Sequence, residues 1–224
     1  KDLIMTPEAI RDLLKRRYAC RDYDPNRKIS DQDFHLILEA GQLAPSSYGF
    51  EPWHFLVIES ESLKQDLAPI ALGAQKALAS ASHFVIILSR TQASLRYDAP
   101  YIGYMMREIQ GLPEDFCEFK QQRFETFQKE DFDLLSTERA TFDWASKQSY
   151  LALAQMMQVA ALRGIDSLAM EGFNRQAVTD LLTERGLIDP SEWGVSVMVS
   201  FGYGLGSVPR KTRQSLDQLV TWVK

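Results

Sequence analysis

Cysteine and histidine are nearly missing from this 224-residue chain, which holds two of the first and three of the second. Cys20 and Cys117 stand far apart, with no CxxC and no Cys/His spacing around either, so the pattern argues against a zinc site and against a disulfide framework. Basic neighbours would activate a thiol at Cys20, but an incidental thiol is the favoured reading. His35 lies in a helical pattern and His54 and His83 open apolar runs, which suits core or strand-end roles better than catalysis. Long apolar runs are also lacking. None approaches the ~18 residues a membrane-spanning helix requires. The opening KDLIMTPEAI lacks a signal peptide's pattern, and without an initiating Met it suggests trimmed first residues, so a cytoplasmic protein is expected. Positive charge is in deficit, with 25 Lys and Arg against 30 Asp and Glu and a net charge of −5. No general attraction to nucleic acid or to an anionic membrane follows, and any anion site must be a local basic cluster.

What remains is an ordinary globular composition, 45% hydrophobic and 25% charged, enough for one domain over residues 1–224 with a sizeable core. The stretch Glu39 to Glu59 organises it. A helix ends near Gly41, Pro45-Ser46-Ser47 turns the chain, and Phe55 to Ile58 reads as a buried strand. Short hydroxyls and free N–H groups at such a crossing suit the polar edge of a flat heterocycle, while a plain tight turn is the alternative. Before it, Thr6-Pro7-Glu8 starts a helix with Ile10, Leu13 and Leu14 as its apolar stripe, and Ser30 caps a second helix with Phe34, Ile37, Leu38 and Gly41 on one face. After it, Ser62 to Ala68 and Leu72 to Ser80 are helical. His83 to Leu88 is a strand with no alternation, hence covered on both faces.

Residues 91–141 form a less regular excursion rich in Tyr, Phe and Met, with a helix expected from Phe116 to Phe127. It reads either as packing onto the body or as an aromatic lid over a site. A long helix follows, capped at Ser136 or Thr137 and stopped at Gly164. Between Tyr150 and Leu162 it is apolar on nearly every face, which calls for burial in a core or a subunit interface. Ile165 to Met170 and Trp193 to Phe201 read as strands, separated by a helix capped at Asn174. Gln218 to Val223 has strand character and could complete a sheet, in this chain or a neighbour's. Gly202 to Gly206 follows the last strand rather than the first and reads as a flexible turn, not a dinucleotide fingerprint. Two basic clusters exceed what helix ends need. Lys15, Arg16, Arg17 and Arg21 place four cations in seven residues, and Arg210, Lys211 and Arg213 lie near the other end; together they could clamp one phosphate.

Five short motifs occur in one order: Arg-Arg-Tyr-Ala-Cys-Arg (16–21), Ala-Pro-Ser-Ser leading to Pro-Trp-His-Phe (44–55), Ala-Ser-His (81–83), Glu-Gly-Phe (171–173) and Pro-Arg-Lys-Thr-Arg (209–213). In these the chain resembles the FMN-dependent nitroreductase and flavin reductase family, over nearly its whole length. The resemblance implies an α+β fold, a mainly antiparallel central sheet wrapped by helices, in an intertwined homodimer with FMN at the interface. It implies a phosphate-binding Arg17, backbone contact at Ala19, Tyr18 among the cofactor-binding residues, and Arg21 at the ring's N1/C2 edge. Pro45, Ser46 and Ser47 would reach the flavin from the partner subunit, the backbone at Glu171 and Gly172 would approach N5, and Lys211 and Arg213 would hold the phosphate. Gly49 and Glu51 depart from the family's Asn and Gln. Its ring contacts before the second strand fall near Ala74 and Ala77, where Gln75 or Lys76 would substitute. Tyr48, Phe124 and Phe127 would shape the acceptor pocket. The implied activity needs no protein nucleophile or metal: NADH or NADPH donates hydride and a nitroaromatic, quinone or flavin accepts it, in a ping-pong cycle. A specialised reaction such as reductive dehalogenation and a non-catalytic flavin-binding or regulatory protein are the alternatives.

Overall fold

Thr6 accepts from Ala9 N–H at 3.2 Å and Pro7 occupies a position where no N–H is needed, so the first helix, α1 (Pro7–Arg16), starts where the sequence places it. The structure, a computed structural model, describes residues 4–224. Ser30 caps α2 (Asp31–Gln42) through Asp33 N–H at 3.1 Å. Next come β1 (Trp53–Val57), α3 (Glu61–Leu67), α4 (Gln75–Ser80) and β2 (His83–Arg90). The excursion is built from α5 (Gln92–Leu95), α6 (Pro100–Tyr104) running into a π-helical turn at Met105–Ile109, and α7 (Glu114–Thr126) running into a second at Phe127–Asp131. Thr137 caps the 25-residue α8 (Glu138–Leu162). Strand β3 (Asp166–Met170), α9 (Arg175–Glu184), strand β4 (Trp193–Gly202) and the short α10 (Leu216–Leu219) complete the chain.

The four strands form one sheet in the order β1-β2-β4-β3, with every neighbouring pair antiparallel. Alternation along the strands divides the core. Phe84, Ile86, Leu88 and Met198 face Leu63, Leu67, Val178 and Leu182 of α3 and α9. Val85, Ile87, Val197 and Val199 face Phe34 and Ile37 of α2 and Ala152 and Met156 of α8. Each large apolar side chain so buried contributes about 1.5–3 kcal/mol. The central strands carry continuous apolar runs because helices lie on both faces. The α+β class and the antiparallel sheet are therefore as expected. A third cluster, around Phe50, Ile102, Met106, Phe124 and Trp144, gives the excursion a core of its own against the N-terminal half of α8.

Two readings narrow. Gln218 to Val223 joins no strand of this chain among the described residues; it begins as α10 and continues extended, with Trp222 84% exposed. Helix α8 is not buried all round within one chain, so a core accounts for only part of its apolar surface and the interface alternative stays open for the rest. Tyr150, Leu151 and Leu162 form an exposed stripe, Leu162 being 50% exposed, and Ile10 and Leu14 of α1 are also uncovered. Among the described residues no helix is long and apolar enough to cross a membrane.

Candidate functional site

The open edge of β3 is covered by the segment after α1. Ala19 forms a parallel bridge with Ser167, and Cys20 N–H donates to Ser167 O at 3.1 Å. Side chains alternate along this short extended run. Tyr18 and Cys20 turn inward, where the tyrosine hydroxyl donates to Cys20 Sγ at 3.5 Å. Both press on Gly204, where a Cβ would collide with them. Burial pushes the Cys20 thiol up and removes any case for a reactive thiolate. Tyr18, expected at the cofactor, thus directs its ring away from the edge that carries Arg17, Ala19 and Arg21. The bridge uses the backbone of the residues flanking Ala19, so the N–H and C=O of Ala19 itself face outward. The Gly202–Gly206 run is no flexible turn either: Gly204 N–H donates to Asp166 Oδ2 at 2.9 Å and pairs with Tyr23.

At the α1 end of this edge the two basic clusters meet. Lys211 Nζ donates to the Arg17 carbonyl. The Lys211 ammonium is pushed down, first by burial and then by the charges of Arg17 and Arg213, so both guanidinium groups act on Lys211. Among the described residues none of the three is in an ion pair. Such a cluster lowers its own repulsion by taking an anion.

At the other end lies a cleft of 580 Å³ whose walls include Arg21, Gln75, Lys76, Glu171 and Gly172. Leu168 and Met170 supply its apolar surface. Arg17 and Arg21 are four residues apart on a nearly extended chain, roughly 13 Å along it. The floor is two glycines in contact: Gly73 N–H donates to Gly172 O at 2.8 Å, and a Cβ on Gly172 would stand 2.9 Å from Gly73 Cα. Among the described residues nothing accepts from Gly172 N–H. The Glu171 carboxylate is held by the Tyr150 hydroxyl from α8, and burial followed by this bond pushes the Tyr150 phenol up. Gln75 is tied to Ala68 O at 3.0 Å, while Lys76 is exposed at the cleft. Gly73 and Tyr150 were missed in sequence; a polar-tipped aromatic on the otherwise apolar α8 was the available signal.

The structure does not bring Pro45, Ser46 and Ser47 to this cleft in the same chain. Their loop is fastened to its own body, with Ser47 N–H donating to Gln148 Oε1 at 2.8 Å and Glu51 N–H to Ser46 Oγ at 2.9 Å. Tyr48 lies over Phe50, Phe124 and Phe127 at ring distances of 5.6, 4.9 and 5.3 Å. Phe124 is 0% exposed, so it is interior to the excursion and not a pocket wall; Tyr48 and Phe127 are half-buried and reach the surface.

Glu51 is partly buried in this loop without a cation, and burial pushes its carboxyl up from 4.5. The folded protein holds that proton more tightly than the unfolded chain, so this contribution to stability is complete below pH about 4.5 and lost as pH rises through the folded value. Glu51→Gln keeps the shape and removes the charge. Its melting temperature should exceed that of the unmodified protein at pH 7 by roughly 2 °C, with the gap closing near pH 4. A gap independent of pH would mean that desolvation of the carboxylate is not the cause.

The arrangement offers cations and backbone donors along one sheet edge, with no nucleophile paired to a base. It can hold an anion at one end and the polar edge of a flat ring at the other. The model of the Nitroreductase family matches residues 14–203. Over 214 residues the chain is 44% identical to the Bacillus subtilis protein named "Putative NAD(P)H nitroreductase YfkO", spanning 96% of this chain and 97% of that one. A Staphylococcus aureus protein with the same description is 43% identical over 217 residues, 96% of each chain. Among solved structures, a "putative nitroreductase ydfN" from Bacillus subtilis superposes with a TM-score of 0.79 at 21% identity, over 97% of this chain and all of that one. A "putative nitroreductase in complex with FMN" from Exiguobacterium sibiricum superposes with a TM-score of 0.73 at 24% identity, over 95% of this chain and 96% of that one.

Proposed function

The chain belongs to the nitroreductase family, and from that membership we propose that it is an FMN-dependent NAD(P)H oxidoreductase reducing nitroaromatics, quinones or flavins by ping-pong hydride transfer. The observation that carries this reading is the sheet edge from Arg17 to Arg21, which ends in three converging cations on one side and in a ring-sized cleft on the other. The residues fit the cofactor. Arg17, Lys211 and Arg213 would bind its phosphate, and the outward N–H of Ala19 would be free to donate to the cofactor. Arg21 would hold the N1/C2 edge, with Gln75 or Lys76 beside it, while the glycine floor lets the backbone at Glu171 and Gly172 come close enough to donate to N5. FMN, when bound, supplies two-electron hydride exchange between a nicotinamide and an acceptor. Tyr150 keeps the Glu171 carboxylate turned toward α8 and so orients the backbone that follows it.

The second half of the site would come from another copy of the chain. Pro45, Ser46 and Ser47, with Tyr48 and Phe127 shaping the acceptor side, would reach across an intertwined homodimer. In support, the stripe on α8, the α1 face and the arm bearing Leu216, Leu219 and Trp222 are apolar and exposed, and among the described residues the outer edge of β1 has no partner strand.

Visible absorption before and after anaerobic NADH, then NADPH, tests the reading. A flavin band that bleaches is the expected result. A band that persists with both donors points to a flavin-binding or regulatory protein, and no band even after added FMN overturns the assignment. Within the same experiment, Arg21→Ala should slow reduction by roughly tenfold or more, with a smaller change in FMN affinity, because it removes a cation from the place where negative charge develops. An unchanged rate removes Arg21 from the ring edge.

A further inference from the structure

Three residues of the loop after Ser47 lie in the left-handed region: Tyr48 (φ 60°), Gly49 (φ 66°) and Glu51 (φ 44°). Only the glycine adopts it freely; the other two are held there at a cost of about 1–2 kcal/mol each. What holds them comes from the excursion. Gln110 Nε2 donates to the carbonyls of Tyr48 at 3.2 Å and Gly49 at 2.9 Å, and the Tyr101 hydroxyl donates to those of Phe50 at 2.7 Å and Glu51 at 3.1 Å. Every carbonyl from Tyr48 to Glu51 is therefore bonded to an excursion side chain. Gln110 is itself fixed on both sides. It follows the π-helical turn, with its N–H on Met105 O at 2.9 Å, and its Oε1 accepts from Lys120 Nζ at 2.5 Å. Lys120 in turn lies 5.1 Å from the Phe50 ring centroid. π turns insert one residue into a helix and re-aim those that follow, a device common at functional sites.

We infer that Gln110, anchored by Lys120, is a positioning residue that keeps the 46–51 turn in its left-handed form and thereby sets which acceptors the neighbouring cofactor cleft admits. The inference rests on the proposed contact of Ser46 and Ser47 with a flavin. The excursion then acts on the site through the loop backbone, and Tyr48 is its reporter: its ring stands where a left-handed residue puts it, on the edge of the acceptor space.

Gln110→Glu is the informative variant, because it preserves size and the bond from Lys120 but removes both donors to the loop. Lys120→Met loosens Gln110 without altering it and serves if the first variant folds poorly. Hydrogen exchange of the FMN-loaded protein reads the clamp directly at the bonded amides of Ser47, Gly49, Phe50 and Glu51. Their exchange should quicken at least about tenfold, while β2 and β4 stay as they were. With NADH saturating, the KM ratio between a two-ring and a one-ring quinone should shift about threefold or more, and kcat should hold, since no ring contact is lost. Unchanged exchange in both variants overturns the clamp. Faster exchange with an unchanged KM ratio overturns its link to acceptor choice. Failure of the functional reading is separately visible, since the unmodified chain would then bind no FMN, and exchange in the unloaded protein would still decide whether Gln110 holds the loop.

Discussion

The Arg17→Ala/Lys211→Ala double variant is expected to emerge from purification colourless. Each side chain would give a charge-assisted bond to one dianion, and such bonds contribute about 1.5–3 kcal/mol apiece. A single replacement should then weaken FMN roughly ten- to a hundredfold. The pair shares one anion, so the losses will not add fully, but a combined thousandfold is about the scale. Fluorescence titration of the stripped protein measures it, and riboflavin, which lacks the phosphate, is the control whose affinity should barely move. Stability should behave in the opposite sense. Lys211 is held down by burial and by Arg17 and Arg213, so removing it relieves repulsion in the ligand-free protein. Lost affinity without lost melting temperature is the signature of a ligand site, because a structural salt-bridge cluster would lose both. Full FMN occupancy in the double variant would falsify the phosphate assignment.

Phe124→Ala should be the most destabilising single change in the excursion. Its ring has no exposure and lies 4.8 Å from Phe50, 4.9 Å from Tyr48 and 6.0 Å from Trp144. Truncating a buried Phe costs about 3–5 kcal/mol, and for a chain of this size that corresponds to roughly 6–15 °C in melting temperature. Phe127→Ala, at a half-buried position, should cost less than half as much and act instead on acceptor KM. Because Trp144 belongs to both the excursion's core and α8, the loss should appear in a single transition; two transitions would make the excursion an independent cooperative unit. If Phe124→Ala melts like the unmodified protein and alters only KM, Phe124 is a pocket residue after all.

The different burial of Phe124 and Phe127, read alike from the sequence, marks where reading from sequence stops. Both fall on one side of a regular helix, but the chain enters a π turn at Phe127, and the extra residue rotates everything beyond it. No local signal announces such a turn. Helix caps are the opposite case: Thr6, Ser30, Thr137 and Asn174 each satisfy an N–H two or three residues away, so their chemistry is contained in a short window and was legible. The unalternating run of β2 was legible for a similar reason, since two-sided burial leaves no polar residue to conceal. The inward turn of the Tyr18 ring was not legible because residues 17 to 21 read as a helix-to-loop break, whereas a strand edge imposes alternation only once Ser167 is known to lie beside Ala19. The convergence of Arg17 and Lys211 was expected from two basic clusters and a family resemblance; neither cluster predicts the other. Glu51 in a left-handed conformation and Tyr150 on Glu171 depend on side chains tens of residues away, which periodicity does not see.

The strand order has a consequence for how the protein is made. The last strand to leave the ribosome, β4, is inserted between β2 and β3, so a nascent chain that has reached Gly186 holds three of the four strands with its sheet still divided. The contact between Lys211 and Arg17 closes later still, across 194 positions. No growing polypeptide that stops short of Arg213 possesses the three-cation cluster. Phosphate capture at that cluster, as proposed above, would therefore follow the synthesis of Arg213, and chains made faster than cofactor is supplied should accumulate as reconstitutable apoprotein.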